Sequence, residues 1–327
     1  MGKSVVTVMP GAPALPRLFA PDRDAARRFI EFFTANIRNP HTRRAYARAA
    51  ADFALWCDER DDIDELRDIE PVHVAAYVET LLQRLAPASV KQHLAAIKML
   101  FDWLVVGQVI AANPASPVRG PKFSARKGKT TPLSAAEARK LLDSIAPTSH
   151  VALRDRALIA LMIFTFARIG AALKMKVEDV FVKEGYRWVR LHEKGGKRHE
   201  MPCNRKLDAY LQAYIQGAGL AGNPKALLFP TAVQRNGPLS KRPMSQADAY
   251  KMVRRRATKA GIVTKVGNHT FRATGITEFR RKRGEEGIRG SLELAQQMAN
   301  HASPRTTALY DHSDAEVSIE EVERIVI

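Results

Sequence analysis

Six side chains in the second half of the sequence have the chemistry to handle a phosphate group. Arg168 follows an apolar stretch in TFARIG, and Lys194 lies beside Gly195-Gly196 in EKGGKRHE. His269 and Arg272 stand three apart in NHTFRATG, and Tyr310 follows His301 by nine residues in MANHASPRTTALYDH. Arginine and lysine offer charged N–H donors to phosphate oxygens, histidine moves protons near neutral pH, and a phenol oxygen can act as a nucleophile. Three-residue spacing puts His269 and Arg272 on one helical face. Taken singly, each has an ordinary reading: a solvated arginine at a helix end, an exposed lysine on a turn, a chance helical pair, a packed tyrosine.

Those residues need a scaffold, and the hydrophobic pattern supplies one. Residues 1–20 read as a loose arm rich in proline and small residues. The stretch 21–112 reads as a small all-helical domain. DAARRFIEFFTANI is stopped at Asn39-Pro40, and HTRRAYARAAADFALWCDER, PVHVAAYVETLLQRL and ASVKQHLAAIKMLFDWLVV follow with apolar residues at helical spacing. The acidic run DERDDIDE (58–65) reads as a solvated connection between helices. Prolines and basic residues without apolar period make 113–133 a linker, which ends where Ser134 and Glu137 form a capping-box pattern. The second domain, 134–312, holds a buried helix in RDRALIALMIFTFARIG and a β-hairpin in YRWVRLHEKGGKRHEMPC turned at Gly195-Gly196. Helices return in SQADAYKMVRRRATKAG, HTFRATGITEFRRKRG, SLELAQQMAN and SPRTTALY, the last with Ser303 as N-cap and Pro304 at the first helical position. In the tail, 313–327, Ser318 and Glu321 open a short amphipathic helix whose Ile319, Val322, Ile325 and Val326 share an apolar stripe.

Composition narrows the partner. Lysine and arginine outnumber aspartate and glutamate 52 to 34 in 327 residues, a formal net charge of +18. That imbalance points to a polyanion, nucleic acid first and an anionic membrane second. The membrane reading is weak, because the longest apolar run, 157–167, is far short of the roughly 20 residues a spanning helix needs, and the N-terminus lacks a signal-type apolar core. Two cysteines without paired spacing, Cys57 and Cys203, exclude a disulfide framework and a cysteine-rich zinc site and suit a reducing cytoplasm. Gly128-Lys129-Thr130 mimics the end of a phosphate loop, but Phe123 stands where its first glycine belongs; HEKGGKRHE is not HExxH.

The order of the six residues is the strongest signal. An arginine after an apolar helix, a lysine on a β-turn, His-x-x-Arg, a histidine and then a tyrosine, all behind a helical domain, resemble the tyrosine recombinases of the phage integrase family over residues 22–312. NHTFRATG and MANHASPRTTALYDH are the specific motifs. Three positions depart from the pattern: Phe166 stands where a glycine usually precedes the first arginine, Ala171 where an acid usually follows it, and Asn300 where a glycine usually precedes the second histidine.

The resemblance implies a mainly α fold with a small β-sheet: an N-terminal helical core-binding (SAM-like) domain and a mixed α+β catalytic domain, closing as a C-clamp around DNA. It implies a site-specific DNA recombinase that cuts and rejoins strands through a 3′-phosphotyrosine, integrating, excising or resolving DNA without ATP, metal or other cofactor. Tyr310 would attack the scissile phosphate, a phenol of ordinary pKa ~10 made reactive by cationic surroundings. Arg168 and Arg272 would clamp the non-bridging oxygens with a hydrogen bond from His301, His269 would take or relay the phenolic proton, and Lys194 would protonate the leaving 5′-oxygen. DNA contacts are expected from Arg43, Arg44, Lys91 and Lys98 in the helical domain and from Lys241, Arg242, Arg254 and Arg255 in the catalytic domain, with a solvated basic face as the alternative. The implied partners are a double-stranded recombination site and a homo-tetramer on two paired sites, the free protein being a monomer or weakly self-associated, in the cytoplasm on the nucleoid. The tail would dock on a neighbouring subunit or fold back on its own domain. A type IB topoisomerase and a decayed DNA-binding protein are the alternatives; the helical first domain and the tail favour the recombinase over the former, and the complete residue set argues against the latter.

Overall fold

The computed structural model describes residues 18, 29, 31–32, 35–122, 128, 130–193, 196–234, 237–281 and 290–313. The chain divides into two units, 1–124 and 125–327, so the division falls inside the expected linker. Most of the first expected helix, the arm 1–20 apart from Leu18, Lys194 and the tail from 314 onward lie outside the described residues.

In the first unit, α1 (Pro40–Asp58), α2 (Pro71–Arg84) and α3 (Pro87–Val106) each begin with proline at the first helical position, where its missing N–H costs nothing. Asn39 caps α1 by accepting from the His41 N–H at 2.9 Å. The Asn39-Pro40 pair, a helix stop by sequence, therefore also begins the next helix. The core is aromatic: Phe53 packs edge-on to Tyr77 and Phe101, with ring centroids 5.0 and 6.0 Å apart. The first residues of the expected linker belong to this core, since Ala115 and Val118 are buried in it and Asn113 donates to the Lys98 carbonyl.

The second unit is mixed. α4 (Ala135–Asp143) opens on Ser134, which accepts from the Glu137 N–H at 3.1 Å while the Glu137 carboxylate accepts from the Ser134 N–H at 3.0 Å, as the capping pattern predicts. α5 (His150–Phe164) is apolar around most of its circumference and is buried accordingly. The expected helix does not run on through Arg168. It stops at Thr165, and a short α6 (Ile169–Ala172) restarts it.

The expected hairpin is the second half of a three-stranded antiparallel sheet, β1 (Val180–Lys183), β2 (Tyr186–His192) and β3 (Arg198–Pro202). Glu184 and Gly185, at φ 53° and 77°, form the left-handed two-residue turn between β1 and β2. Sequence reasoning passes over α7 (Arg205–Gly217) and the small pair β4 (Pro230–Ala232) and β5 (Leu239–Pro243). α8 (Gln246–Lys259), α9 (Asn268–Arg280), α10 (Leu292–Met298) and α11 (Pro304–Ala308) follow the sequence reading. Pro304 takes the first helical position of α11, but the Ser303 side chain makes no capping hydrogen bond. Among the described residues no helix is long and apolar enough to cross a membrane, and no three or more of His, Cys, Asp and Glu cluster as metal ligands would.

Candidate active site

Five of the six residues singled out by sequence lie together in the second unit, carried by α6, α9, α11 and the loops that join them. Arg272 is their centre. It sits on the second turn of α9 and is only 1% exposed. Its Nη1 donates to the Phe166 carbonyl and its Nη2 donates to the Ala299 carbonyl and to His301 Nε2. Its Nε has no hydrogen-bond partner among the described residues, which leaves a buried donor unsatisfied. Burial, and the neighbouring Arg168, push the Arg272 pKa down to about 10, so it remains a cation at neutral pH.

The two carbonyls that receive Arg272 are aimed by unusual backbone. Phe166 and Asn300 both adopt left-handed conformations, with φ of 53° and 46°. These are two of the three positions that depart from the resemblance. The backbone still does there what a glycine would do without strain. Asparagine tolerates that region well, whereas a phenylalanine there costs of order 1–2 kcal/mol. Packing holds Phe166 in place: its ring is buried with Ile276 and Ala299 and meets Phe279 edge-on at 6.2 Å.

Tyr310 lies across this cluster. Its hydroxyl is 3.3 Å from His269 Nδ1, its ring stacks on His301 at 5.6 Å between centroids, and the Arg272 guanidinium carbon is 5.7 Å from its ring centre. The segment is pinned from below. Thr277 donates to the Tyr310 carbonyl and accepts from the His312 N–H, both at 3.2 Å, and Arg280 pairs with Asp311 at 2.9 Å. Gly128, part of the phosphate-loop mimic, passes so close to the Leu309 backbone that a Cβ would lie 1.9 Å from its carbonyl oxygen.

Both histidines are neutral. Arg272 can only donate, so His301 Nε2 is an acceptor, and the ring proton sits on Nδ1, 2.9 Å from Thr307 Oγ1. Burial first, then Arg272 and Arg168, push His301 from 6.5 down to about 3; the same causes lower His269. The unfolded chain therefore takes up protons below pH 6.5 that the folded chain refuses until about pH 3. Stability is fully present above that upper value and falls as pH drops towards the lower one. Between pH 7 and 5 the fold is expected to lose on the order of 1–3 kcal/mol, read as a fall in melting temperature that His301→Gln reduces. An unchanged slope in that variant would place the titrating group elsewhere.

Arg168 stands at the N-cap of α6, 37% exposed at its side chain, and its Nη1 donates to Glu193 Oε2 at 2.7 Å. Lys194 follows Glu193 in the β2–β3 turn and lies outside the described residues. The expected DNA contacts differ in how far they are occupied. Arg43 donates twice to the Ile37 carbonyl, Lys98 to the Ser116 carbonyl, Arg254 to the Tyr250 hydroxyl and Arg255 to Asp155. Arg44, Lys91, Lys241 and Arg242 are exposed. Sequence reasoning misses Glu193, Thr277, Thr307 and the Arg280–Asp311 pair. Only Glu193 carries a signal, its place beside Lys194.

Known proteins resemble this chain in sequence and in fold. The profile of the phage integrase family matches residues 132–316, and that of the phage integrase N-terminal SAM-like domain matches 26–110. Tyrosine recombinase XerD of Corynebacterium glutamicum is 30% identical over 288 residues, covering 84% of this chain and 88% of that protein. Tyrosine recombinase XerD of Chlorobaculum tepidum is 25% identical, covering 92% and 95%. Among solved structures, the XerH site-specific recombinase bound to difH substrate superposes with a TM-score of 0.66 at 23% identity, over 91% of this chain and 83% of that one. A lambda integrase dimer bound to a COC′ core site gives 0.62 at 18% identity, over 90% and 97%. At those identities the two structures establish the likeness of fold.

Proposed function

The chain belongs to the phage integrase family and is a tyrosine recombinase, an enzyme that cleaves and rejoins DNA strands at specific sites, and we propose that Tyr310 is its nucleophile within a site built from Arg168, Lys194, His269, Arg272 and His301. One observation carries the residue assignment. The Tyr310 hydroxyl lies within reach of His269 while its ring stacks on His301 and lies near the Arg272 guanidinium, with His269 and Arg272 supplied by α9 and His301 by the α10–α11 connection of the same unit.

A scissile phosphate entering beside Tyr310 meets the cations Arg168 and Arg272, and one of its oxygens satisfies the orphaned Nε of Arg272. Charge grows on the non-bridging oxygens as the phenolic oxygen attacks, and fixed guanidinium groups stabilise it without reorganising. Neutral His269 accepts the phenolic proton through Nδ1. His301, whose Nε2 accepts from Arg272 here, donates to the phosphate once Arg272 turns towards the phosphate and the ring proton moves from Nδ1 to Nε2. Lys194 protonates the departing 5′-oxygen. The phosphotyrosine conserves the energy of the broken bond, so rejoining needs no ATP.

The substrate is a double-stranded recombination site on nucleoid DNA, with Arg44 and Lys91 of the first unit and Lys241 and Arg242 of the second as exposed candidates for phosphate contacts. A tetramer forms on two paired sites. An apolar groove in the second unit, about 1310 Å³ and lined by Ile163, Phe164, Phe166, Met201, Phe279 and Met298 among others, suits the apolar stripe of the tail from a second copy. Truncation after Ser313 is then expected to preserve covalent DNA adducts and to cut recombination between paired sites at least roughly 10-fold, measured by strand-exchange products on gels. Equal recombination by the truncated chain would remove the tail from assembly.

The decisive experiment finds the target sequence as it tests the chemistry. Tagged protein is incubated with fragmented host DNA in EDTA without ATP, denatured in SDS and purified, and the attached DNA is sequenced. Adducts converging on one sequence are expected. Scattered adducts would favour a relaxing enzyme, and non-covalent binding alone would favour a DNA-binding protein without catalysis.

A further inference from the structure

We propose that Glu193 is a positioning residue for the phosphate clamp, holding Arg168 from the β2–β3 turn and fixing the foot of the turn that carries Lys194. The proposal rests on the reading of Arg168 as a clamp for the scissile phosphate.

The local helix cannot hold Arg168 itself. α6 is four residues long, and Ala171, one turn beyond Arg168, is buried and uncharged. An arginine side chain with no partner samples many rotamers, and freezing it at the moment of phosphate binding costs entropy. The structure supplies the missing carboxylate from 25 residues away, where Glu193 accepts from Arg168 Nη1 at 2.7 Å.

The two partners are unequally exposed. The Glu193 side chain is 5% exposed and that of Arg168 is 37%. An ion pair whose only purpose was surface stability would leave both partners in water and contribute little. Here the carboxylate is the buried anchor and the guanidinium is the outward face. A buried carboxylate is retained only against a compensating cation. Among the described residues one nitrogen of Arg168 is used, and the rest of its fork remains for a phosphate.

Glu193 also acts through its backbone. Its N–H donates to the Lys197 carbonyl at 2.8 Å, closing the turn that contains Lys194. One residue therefore ties together the clamp arginine and the turn of the proposed general acid. Its charge reaches further. Arg168 disfavours the charged form of Arg272, and Glu193 opposes that effect. Two guanidinium groups can then share one small site without an anion present, ready for the phosphate that replaces part of this compensation.

The test separates rate from binding in the full-length protein. Covalent adducts on the host DNA fragments are timed in single turnover, and filter retention of the same DNA measures binding. Glu193→Ala is expected to slow adduct formation roughly 10- to 100-fold, the scale of a misplaced catalytic group, with DNA retention within about 3-fold of wild type. Glu193→Gln is isosteric and keeps an acceptor for Arg168 but not the charge, so it guards against misfolding and is expected to fall between. Glu193→Asp keeps the charge and is expected to recover part of the rate. Wild-type rates in both the Ala and Gln variants would overturn the proposal, as would losses that only track lost DNA retention or lost melting temperature. If the wild-type protein itself forms no adduct, the clamp reading fails and this inference falls with it.

Discussion

Tyr310→Phe is expected to lower the yield of SDS-resistant protein–DNA adducts by at least roughly 10³-fold, because the substitution removes the oxygen that forms the covalent bond. DNA retention is expected to stay within about 3-fold and melting temperature nearly unchanged. The reason is geometric. Among the described residues the hydroxyl makes a single hydrogen bond, 3.3 Å to His269 Nδ1, while the ring keeps its stacking on His301 and its place over Phe166, Ile276 and Ala299. Removing a half-buried hydroxyl with one long hydrogen bond costs at most about 1 kcal/mol. The variant thus separates chemistry from folding and from binding. Adducts surviving in Tyr310→Phe would mean that another side chain attacks the phosphate, and the roles proposed for His269, His301 and Arg272 would have to be rebuilt around it.

Gly275→Ala is expected to cost about 3–5 kcal/mol of stability in the second unit, with adduct formation lost along with it. A Cβ at position 275 would lie 2.1 Å from the Ile163 carbonyl oxygen and 2.5 Å from the Phe166 ring. The first obstacle is backbone at the end of the buried α5, which cannot retreat without moving the core. The second is the ring that holds Phe166 in its left-handed conformation. Displacing it would swing the Phe166 carbonyl away from Arg272. Shortening the ring in the double variant Phe166→Leu/Gly275→Ala is therefore expected to recover only a minor part of the loss, since the Ile163 carbonyl stays in place. Thermal melting of the single and double variants measures this. A near-neutral Gly275→Ala would show that α9 can slide from α5 without disturbing the site.

Where sequence reasoning falls short, the shortfall has physical causes. Helical periodicity locates α1 to α3 and α8 because each buries one face at regular spacing. α7 is passed over although Asn204 caps it and Leu207, Leu211 and Tyr214 share its buried face. The β1 strand is missed because it has only four residues, too few for alternation to stand out. The break at Thr165–Arg168 goes unread because its cause is not local: Phe166 is left-handed only because Ile276, Phe279 and a glycine on α9 make room for its ring. The same holds for the start of the linker, which shows no apolar period in sequence yet places Ala115 and Val118 in the core of the first unit.

Residue types and their order, through the resemblance to the tyrosine recombinases, single out Arg168, Lys194, His269, Arg272, His301 and Tyr310 as a candidate phosphate-handling set, and net charge points to nucleic acid. Those properties belong to side chains and survive in a linear string. Tertiary structure alone decides the protonation of both histidines, because desolvation and two nearby guanidinium groups exist only in the fold. It alone shows that Phe166 and Asn300 keep the backbone turn that glycine would otherwise provide. It alone brings Glu193 against Arg168, a pairing set by the register of β2 on β3 and by the way the sheet packs on α6. Electrostatic support acts over ångströms in space, and a separation of 25 residues in sequence leaves no trace of it until the chain has folded.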